Sequence, residues 1–233
     1  MIFREKFKTY ENVFDQHTIR NIFKLSSQGY FDELQSPVKV GKEANIFTAL
    51  KKDGTRVIVK IYRLQTCNFN RMYDYIKSDP RFIIKKNRRK IIFAWTQREF
   101  RNLLKAREAN VKVPTPYTFL DNIIVMEFIG NEKPAPQLKD AYPENVQSFF
   151  NKTIKYMKNM YKAGLVHADL SEYNILNQED NPVLIDFSQC TVLQNTDSEE
   201  YLRRDIRNIC RFFSKLGVKC GEKEMYEKIK AKG

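Results

Sequence analysis

Residues 166–176 read VHADLSEYNIL, and VLIDFSQ follows at 183–189. This H-x-D has an asparagine five residues past its aspartate and a second aspartate closing the next apolar run. No other feature of the chain restricts its fold as strongly. Polar acids at the ends of buried strands are costly unless they hold a ligand or one another. Segments 173–176 and 183–186 flank the turn-forming NQEDNP and are expected to pair as a hairpin. That pairing would bring Asn174 and Asp186 together as hard oxygen ligands for Mg²⁺ or Mn²⁺. Asp169, in the loop before the hairpin, is then suited to orienting a nucleophile. His167 is expected to hydrogen-bond and position that loop rather than to carry a proton.

Upstream, the pattern alternates between strand and helix periods. DQHTIRNIFKLSSQ places Ile19, Ile22, Phe23 and Leu25 at helical spacing, with Asp15 as N-cap and Gly29 as stop, and Tyr30, Phe31 and Leu34 as a short continuation on the core. From Val38 two strands follow, then a tight turn at Asp53-Gly54, then the strand Val57–Tyr62, apolar apart from Lys60. Residues 63–80 show no clean period and read as a mobile insertion. A long helix is expected from about Lys85 to Ala109, where Ile92, Trp95, Glu99 and Leu103 share one face. Glu99 inside that apolar stripe needs a cationic partner, and Lys60, alone in its strand, is the natural one. Pro114 and Pro116 end the unit, and 122–130 forms a strand. A helix over 143–163 begins at Pro143 and stops at Gly164, and a last helix is expected over about 199–216. The class is α+β and two-lobed.

Hydrophobic residues make up 42% of the 233, enough for a core, and no apolar run approaches the roughly 18 residues of a membrane span. The first ten residues carry charges where a signal peptide needs its apolar stretch, so a cytoplasmic protein is expected. Cys67, Cys190, Cys210 and Cys220 form no C-x-x-C pair, which argues against a zinc site and against a disulfide framework, and fits a reducing compartment. Net charge is +13, and residues 60–112 carry 15 Lys/Arg against 4 Asp/Glu, a local excess of +11. The densest block, Lys85, Lys86, Arg88, Arg89 and Lys90, favours a polyanionic partner, most simply RNA.

A strand lysine, a helix glutamate, H-x-D-x-x-x-x-N and D-F-x, in that order, form the protein-kinase set. The departures are equally informative. VGKEANIF supplies only Gly41 where a Gly-rich loop is usual, Ser188 takes the third place of D-F-G, and no A-P-E follows. With 47 residues after Asp186, an ordinary peptide kinase with full docking helices is not expected.

GKEANIF (41–47), MEFIG (126–130), HADLSEYNIL, LIDFSQ and RRDIRNICRFFSKLGV (203–218) together resemble the atypical RIO protein kinases over nearly the whole chain. GKEAN and HADLSEYNIL are closer to the first RIO subfamily than to the second, with its extra winged-helix domain. The resemblance implies a minimal kinase fold: a helical extension over 1–36, an N-lobe and hinge over 37–130, and a reduced C-lobe over 131–233. It implies ATP with Mg²⁺ or Mn²⁺, and a role in maturing the small ribosomal subunit through its precursor and ribosomal RNA, with no DNA or membrane partner. By the same resemblance Asp169 is the catalytic acceptor, Asn174 and Asp186 are metal ligands, and Lys60, paired with Glu99, meets the ATP phosphates. Gly41 and Lys42 belong to the ATP site, the backbones of Glu127 and Ile129 meet adenine, and Met126 is gatekeeper. Asp186 is also the position of an aspartyl-phosphate in an ATPase cycle. Lys39-Val40 stands where the family carries Ser-Thr, which removes a hydroxyl from that turn.

Two other readings share parts of this pattern. A small-molecule phosphotransferase has the same H-x-D-x-x-x-x-N core, but usually a larger helical C-terminal region. A nucleotide-switched ribosome assembly factor with little protein-kinase activity would bind ATP and couple its hydrolysis to release.

Overall fold

The computed structural model describes residues 14–231, so the expectation for the first ten residues lies outside the described part. Two compact units emerge among the described residues: one comprises residues 14–77, 82–100 and 116–128, the other residues 78–81, 101–115 and 129–231.

The first unit is built on an antiparallel sheet of β1 (Glu33–Val40), β2 (Ala44–Leu50), β3 (Arg56–Tyr62), β4 (Pro116–Leu120) and β5 (Ile123–Glu127), in the order β1-β2-β3-β5-β4. Helix α1 (Gln16–Ser27) precedes it. Its N-cap Asp15 accepts from the amides of His17 and Thr18, and Gly29, at φ +83°, ends it in the left-handed region. The core joins Ile22 and Leu25 of α1 to Phe47, Val57, Val59 and Val125 of the sheet. In β2 the buried positions alternate, Asn45, Phe47 and Ala49, as a half-buried strand requires.

Helix α3 (Arg88–Glu108) carries the expected stripe: Ile92, Trp95, Glu99 and Leu103 are all buried. The division between units falls within this helix, between Phe100 and Arg101.

The second unit is mainly helical: α4 (Val146–Lys162), α5 (Ser198–Lys215) and α6 (Glu222–Lys230), with α6 packed on α4 and α5. Asn145 caps α4 by accepting from the Ser148 amide. The rings of Phe149 and Phe150 on α4 meet Phe213 of α5. Two small antiparallel pairs complete the unit: β6 (Leu165–Val166) with β9 (Thr191–Val192), and the hairpin of β7 (Ile175–Gln178) and β8 (Asn181–Leu184). The hairpin turns on Glu179 and Asp180, at φ +50° and +59°, the signature of a two-residue type I′ turn.

Several expectations are corrected. Residues 63–80 are no structureless insertion: Phe69–Lys77 forms helix α2, whose Met72 and Ile76 are buried, and Tyr75 meets Trp95 edge-on. Phe69, Met72, Tyr73 and Ile76 do recur at helical spacing, but over only nine residues, a span too short to stand out from its polar surroundings. Cys210 and Cys220 form a disulfide, contrary to the reading of the spacing. Helix α5 ends at Lys215 and the chain reverses at Gly217 (φ +88°), returning Cys220 to Cys210, a contact that C-x-x-C arithmetic cannot see. Leu34 lies in β1 rather than in a helical continuation, Pro143 precedes the cap of α4, and β4 and α6 had no expected counterpart. Among the described residues, no helix is long and apolar enough to cross a membrane.

Candidate active site

In the first unit the lysine of β3 and the glutamate of α3 meet. Lys60 Nζ donates to Glu99 Oε1 at 2.7 Å, and the Tyr62 hydroxyl donates to Glu99 Oε2 at 2.5 Å. Both charged side chains are almost wholly buried, at 8% and 2% exposure, so each supplies the countercharge that makes the other tolerable. Tyr62 was not singled out in the sequence, although it sits two residues from Lys60 on the same face of the strand.

Gly41 and Lys42 form the turn between β1 and β2. The Gly41 amide donates to Ala44 O at 3.0 Å, and a Cβ at position 41 would lie 2.9 Å from that oxygen, so the tight turn itself requires glycine. The segment after β3 grips the turn: the Arg63 amide donates to Glu43 O at 2.9 Å and Thr66 Oγ to Lys42 O at 3.4 Å. Met126, buried, and Glu127, half-buried, lie on β5 opposite Ile58 and Val57 of β3. Ile129 falls in the second unit and is buried, its carbonyl accepting from the Ala135 amide.

In the second unit both motif segments leave paired strands at shared ends. Asn174 precedes β7 and Asp186 follows β8, and the Ile185 amide donates to Asn174 O at 3.0 Å across the hairpin. The loop bearing Asp169 leaves β6, whose partner β9 receives the chain from D-F-S-Q. Asn174 Nδ2 donates to Asp169 O at 2.8 Å and to its Oδ2 at 3.3 Å, closing the five-residue spacing into a compact loop. Ala168 (φ +65°) and Asp186 (φ +61°) are held in the left-handed region without being glycine, backbone strain of the kind that concentrates at functional sites.

Asp205 of α5 sustains the strained loop. It is 1% exposed, and its two carboxylate oxygens accept from the Ala168 and Leu170 amides at 2.8 and 2.9 Å, on either side of Asp169. Neighbouring Arg204 donates to Ala168 O, and Asn208 Nδ2 to Leu170 O. Burial pushes the Asp205 carboxyl up to about 7, against the opposing pull of these amides and the Arg204 guanidinium. Asp205 was missed in the sequence, yet it had the same signal as Glu99: an acid between Leu202, Ile206 and Ile209 on a buried helix face.

His167 plays the positioning part expected of it. Its Nε2 donates to Ile185 O at 3.1 Å, next to Asp186, and its ring meets Phe187 edge-on. Burial pushes its pKa down to about 4, so the ring is neutral at ordinary pH and ill-suited to delivering a proton there.

Asp186 Oδ1 accepts from Ser188 Oγ at 2.8 Å. The two residues expected to hold a cation, Asp186 and Asn174, offer one carboxylate and one carboxamide. Among the described residues, no group of three or more His, Cys, Asp or Glu side chains gathers around a metal position. Two hard oxygens without a closed cage fit Mg²⁺ or Mn²⁺, which retain water and phosphate oxygens as their other ligands.

Of the basic block, Lys85 through Lys90 are all exposed. Arg88 is drawn towards the protein, 4.7 Å above the Phe69 ring and bonded to Cys67 O, and Lys86 lies 5.6 Å from the Tyr73 ring centroid.

The family profile described as RIO domain matches residues 45–227. RIO-type serine/threonine-protein kinase Rio1 of Methanocaldococcus jannaschii is 42% identical over 233 residues, covering 99% of this chain and 80% of that protein. Its Haloferax volcanii counterpart is 39% identical over 225 residues, covering 96% and 78%. Human serine/threonine-protein kinase RIO1 is 34% identical over 90% of this chain, but only 38% of its own length is matched. A solved complex of Chaetomium thermophilum Rio2 kinase with ADP/Mg²⁺ and phosphoaspartate superimposes at TM-score 0.70, over 91% of this chain and 66% of that one, a likeness of fold at 21% identity. The family profile and the archaeal relatives agree with the motifs, and the chain belongs to the RIO family of serine/threonine protein kinases.

Proposed function

We propose that this kinase uses ATP with Mg²⁺ or Mn²⁺ to transfer the γ-phosphoryl group, and that it serves in maturation of the small ribosomal subunit. The observation that carries the chemistry is the fixation of Asp169: Asp205 holds the amides on both sides of it, and Asn174 bonds both its carbonyl and its carboxylate. A general base must be held within hydrogen-bonding reach of the proton it takes, and this loop has little freedom left.

In this reading Lys60, set by Glu99, meets the phosphates, Gly41 and Lys42 cover them, and the backbones of Glu127 and Ile129 meet adenine beside Met126. Asn174 and Asp186 hold the divalent ion, which neutralises phosphate charge when bound. Asp169 takes the proton of an incoming Ser or Thr hydroxyl as the oxygen–phosphorus bond forms and ADP leaves. If Asp186 itself attacks, an acyl-phosphate forms and water must cleave it, which gives an ATPase cycle. The ribosomal part of the proposal is supported by family resemblance and by the exposed basic block, a suitable surface for ribosomal RNA.

The test is multiple-turnover ATP hydrolysis with Mg²⁺ or Mn²⁺, with and without small-subunit particles, trapping phosphoprotein. Acid-stable phosphoserine or phosphothreonine on another protein establishes the kinase. A hydroxylamine-labile phosphate on Asp186, with turnover stimulated by particles, establishes the ribosome-coupled ATPase. ATP binding without either product leaves a nucleotide-switched assembly factor.

A further inference from the structure

The side chain of Gln189 reaches back from the D-F-S-Q segment, and its Nε2 donates to Asp169 Oδ2 at 3.0 Å. We propose that Gln189 is a positioning residue for the phosphoryl-transfer reaction, holding the Asp169 carboxylate in the rotation from which it accepts the nucleophile's proton. This inference rests on the reading of Asp169 as the proton acceptor.

The fold brings the two residues together without any local signal. Strands β6 and β9 run antiparallel, so the residues just after Val166 and just before Thr191 share one end of the pair. Gln189 and Asp169 therefore become neighbours across 20 residues of chain. Asn174 Nδ2 approaches the same carboxylate oxygen at 3.3 Å. Two amides converging on Oδ2 fix the rotation of the carboxylate about its Cβ–Cγ bond, which one donor alone leaves softer.

The turn carrying Gln189 is itself fixed. The Cys190 amide donates to Phe187 O at 3.2 Å, closing the turn. Asn102 of α3, fully buried, donates through Nδ2 to both Phe187 O at 3.0 Å and Cys190 O at 2.7 Å, and its Oδ1 accepts from Arg81 at 2.9 Å. Both carbonyls flanking Ser188 and Gln189 are thus anchored to one side chain. A glutamine on a loose loop would have many rotamers to lose, whereas this one projects from a clamped turn directly at the carboxylate. Ser188 points its hydroxyl at Asp186, so adjacent residues of one turn tend the two acids of the motif separately.

The experiment compares Gln189→Glu and Gln189→Ala with wild type in steady-state phosphoryl transfer from ATP and in thermal unfolding. Glutamate keeps the length and shape of the side chain but replaces the donor by an acceptor against Oδ2. Alanine removes donor and bulk together. Both variants should lower kcat about 10- to 100-fold while KM for ATP changes less than about twofold, because ground-state binding does not use this bond. Their thermal midpoints should stay within about 3 °C of wild type. Undiminished kcat in Gln189→Glu overturns the inference, as does a kcat loss that appears only alongside a matching loss of thermal midpoint. An active wild type with active variants removes the inference alone. A wild type that binds ATP and transfers nothing to any acceptor removes the reading of Asp169, and the inference with it.

Discussion

Lys60 Nζ and Glu99 Oε1 lie 2.7 Å apart, 39 residues apart in sequence, with both side chains nearly closed off from water. Neither charge is tolerable there alone. Glu99→Gln should cost about 3–5 kcal/mol of unfolding free energy, the penalty for breaking a buried pair from one side. Lys60→Met combined with Glu99→Gln should cost less than the two single changes added together, which urea unfolding of all four proteins would measure. Strict additivity would mean that the charges do not interact.

Asp169→Ala should reduce phosphoryl transfer about a thousandfold, within the range of general-base contributions, while ATP affinity by calorimetry changes little. Full activity in that variant would remove Asp169 from the mechanism.

Asp205 makes stability depend on pH in a defined direction. Its ordinary pKa is 3.8 and its folded value about 7. The native protein therefore keeps a proton that the unfolded chain releases, so this group's contribution is complete below about pH 4 and lost as pH rises through about 7. His167 does the opposite: lowered from 6.5 to about 4, it contributes above its ordinary pKa and is lost as pH falls through about 4. The two slopes oppose each other in wild type. In Asp205→Asn only the His167 slope remains, so acidification should weaken the variant relative to wild type by up to about 1.4 kcal/mol per pH unit. Urea midpoints at about pH 4.5, 5.5 and 7 would show it; parallel curves would contradict the raised carboxyl.

Reduction of Cys210–Cys220, or Cys210→Ser, should destabilise the native state by about 2–3 kcal/mol, from the entropy regained by a loop of this length in the unfolded chain. Denaturation with and without reductant, after a thiol count, tests this. No difference would mean that packing alone holds α6 against α4 and α5.

The basic block makes a salt-dependent prediction. Replacing Lys85, Arg89 and Lys90 by Gln should weaken RNA binding and reduce the slope of log K against log salt by about 2 to 3. ATP affinity should not move. Arg88 is left in place because its guanidinium also packs on Phe69. An unchanged salt slope would make the block a solvated surface only.

Features whose signal is local, or rests on the burial of a charge, were legible in the order of the residues. The strand and helix periods located the sheet and α3, and the acid within an apolar stripe demanded a partner for Glu99. The five-residue spacing placed Asn174 within reach of Asp169, and the expected hairpin brought its backbone opposite Ile185, next to Asp186. The strands extend through NQEDNP to a turn at Glu179 and Asp180 instead of flanking it. Only the folded chain shows that Asp205 clasps amides 35 and 37 residues away, that Gln189 reaches Asp169, and that Cys220 returns to Cys210. Periodicity reports how a segment buries its own face. It carries no record of which distant backbone groups that face will meet, because such contacts depend on how strands pair and loops close. The acid in α5 could have been recognised as needing partners; only the fold could show that those partners flank Asp169.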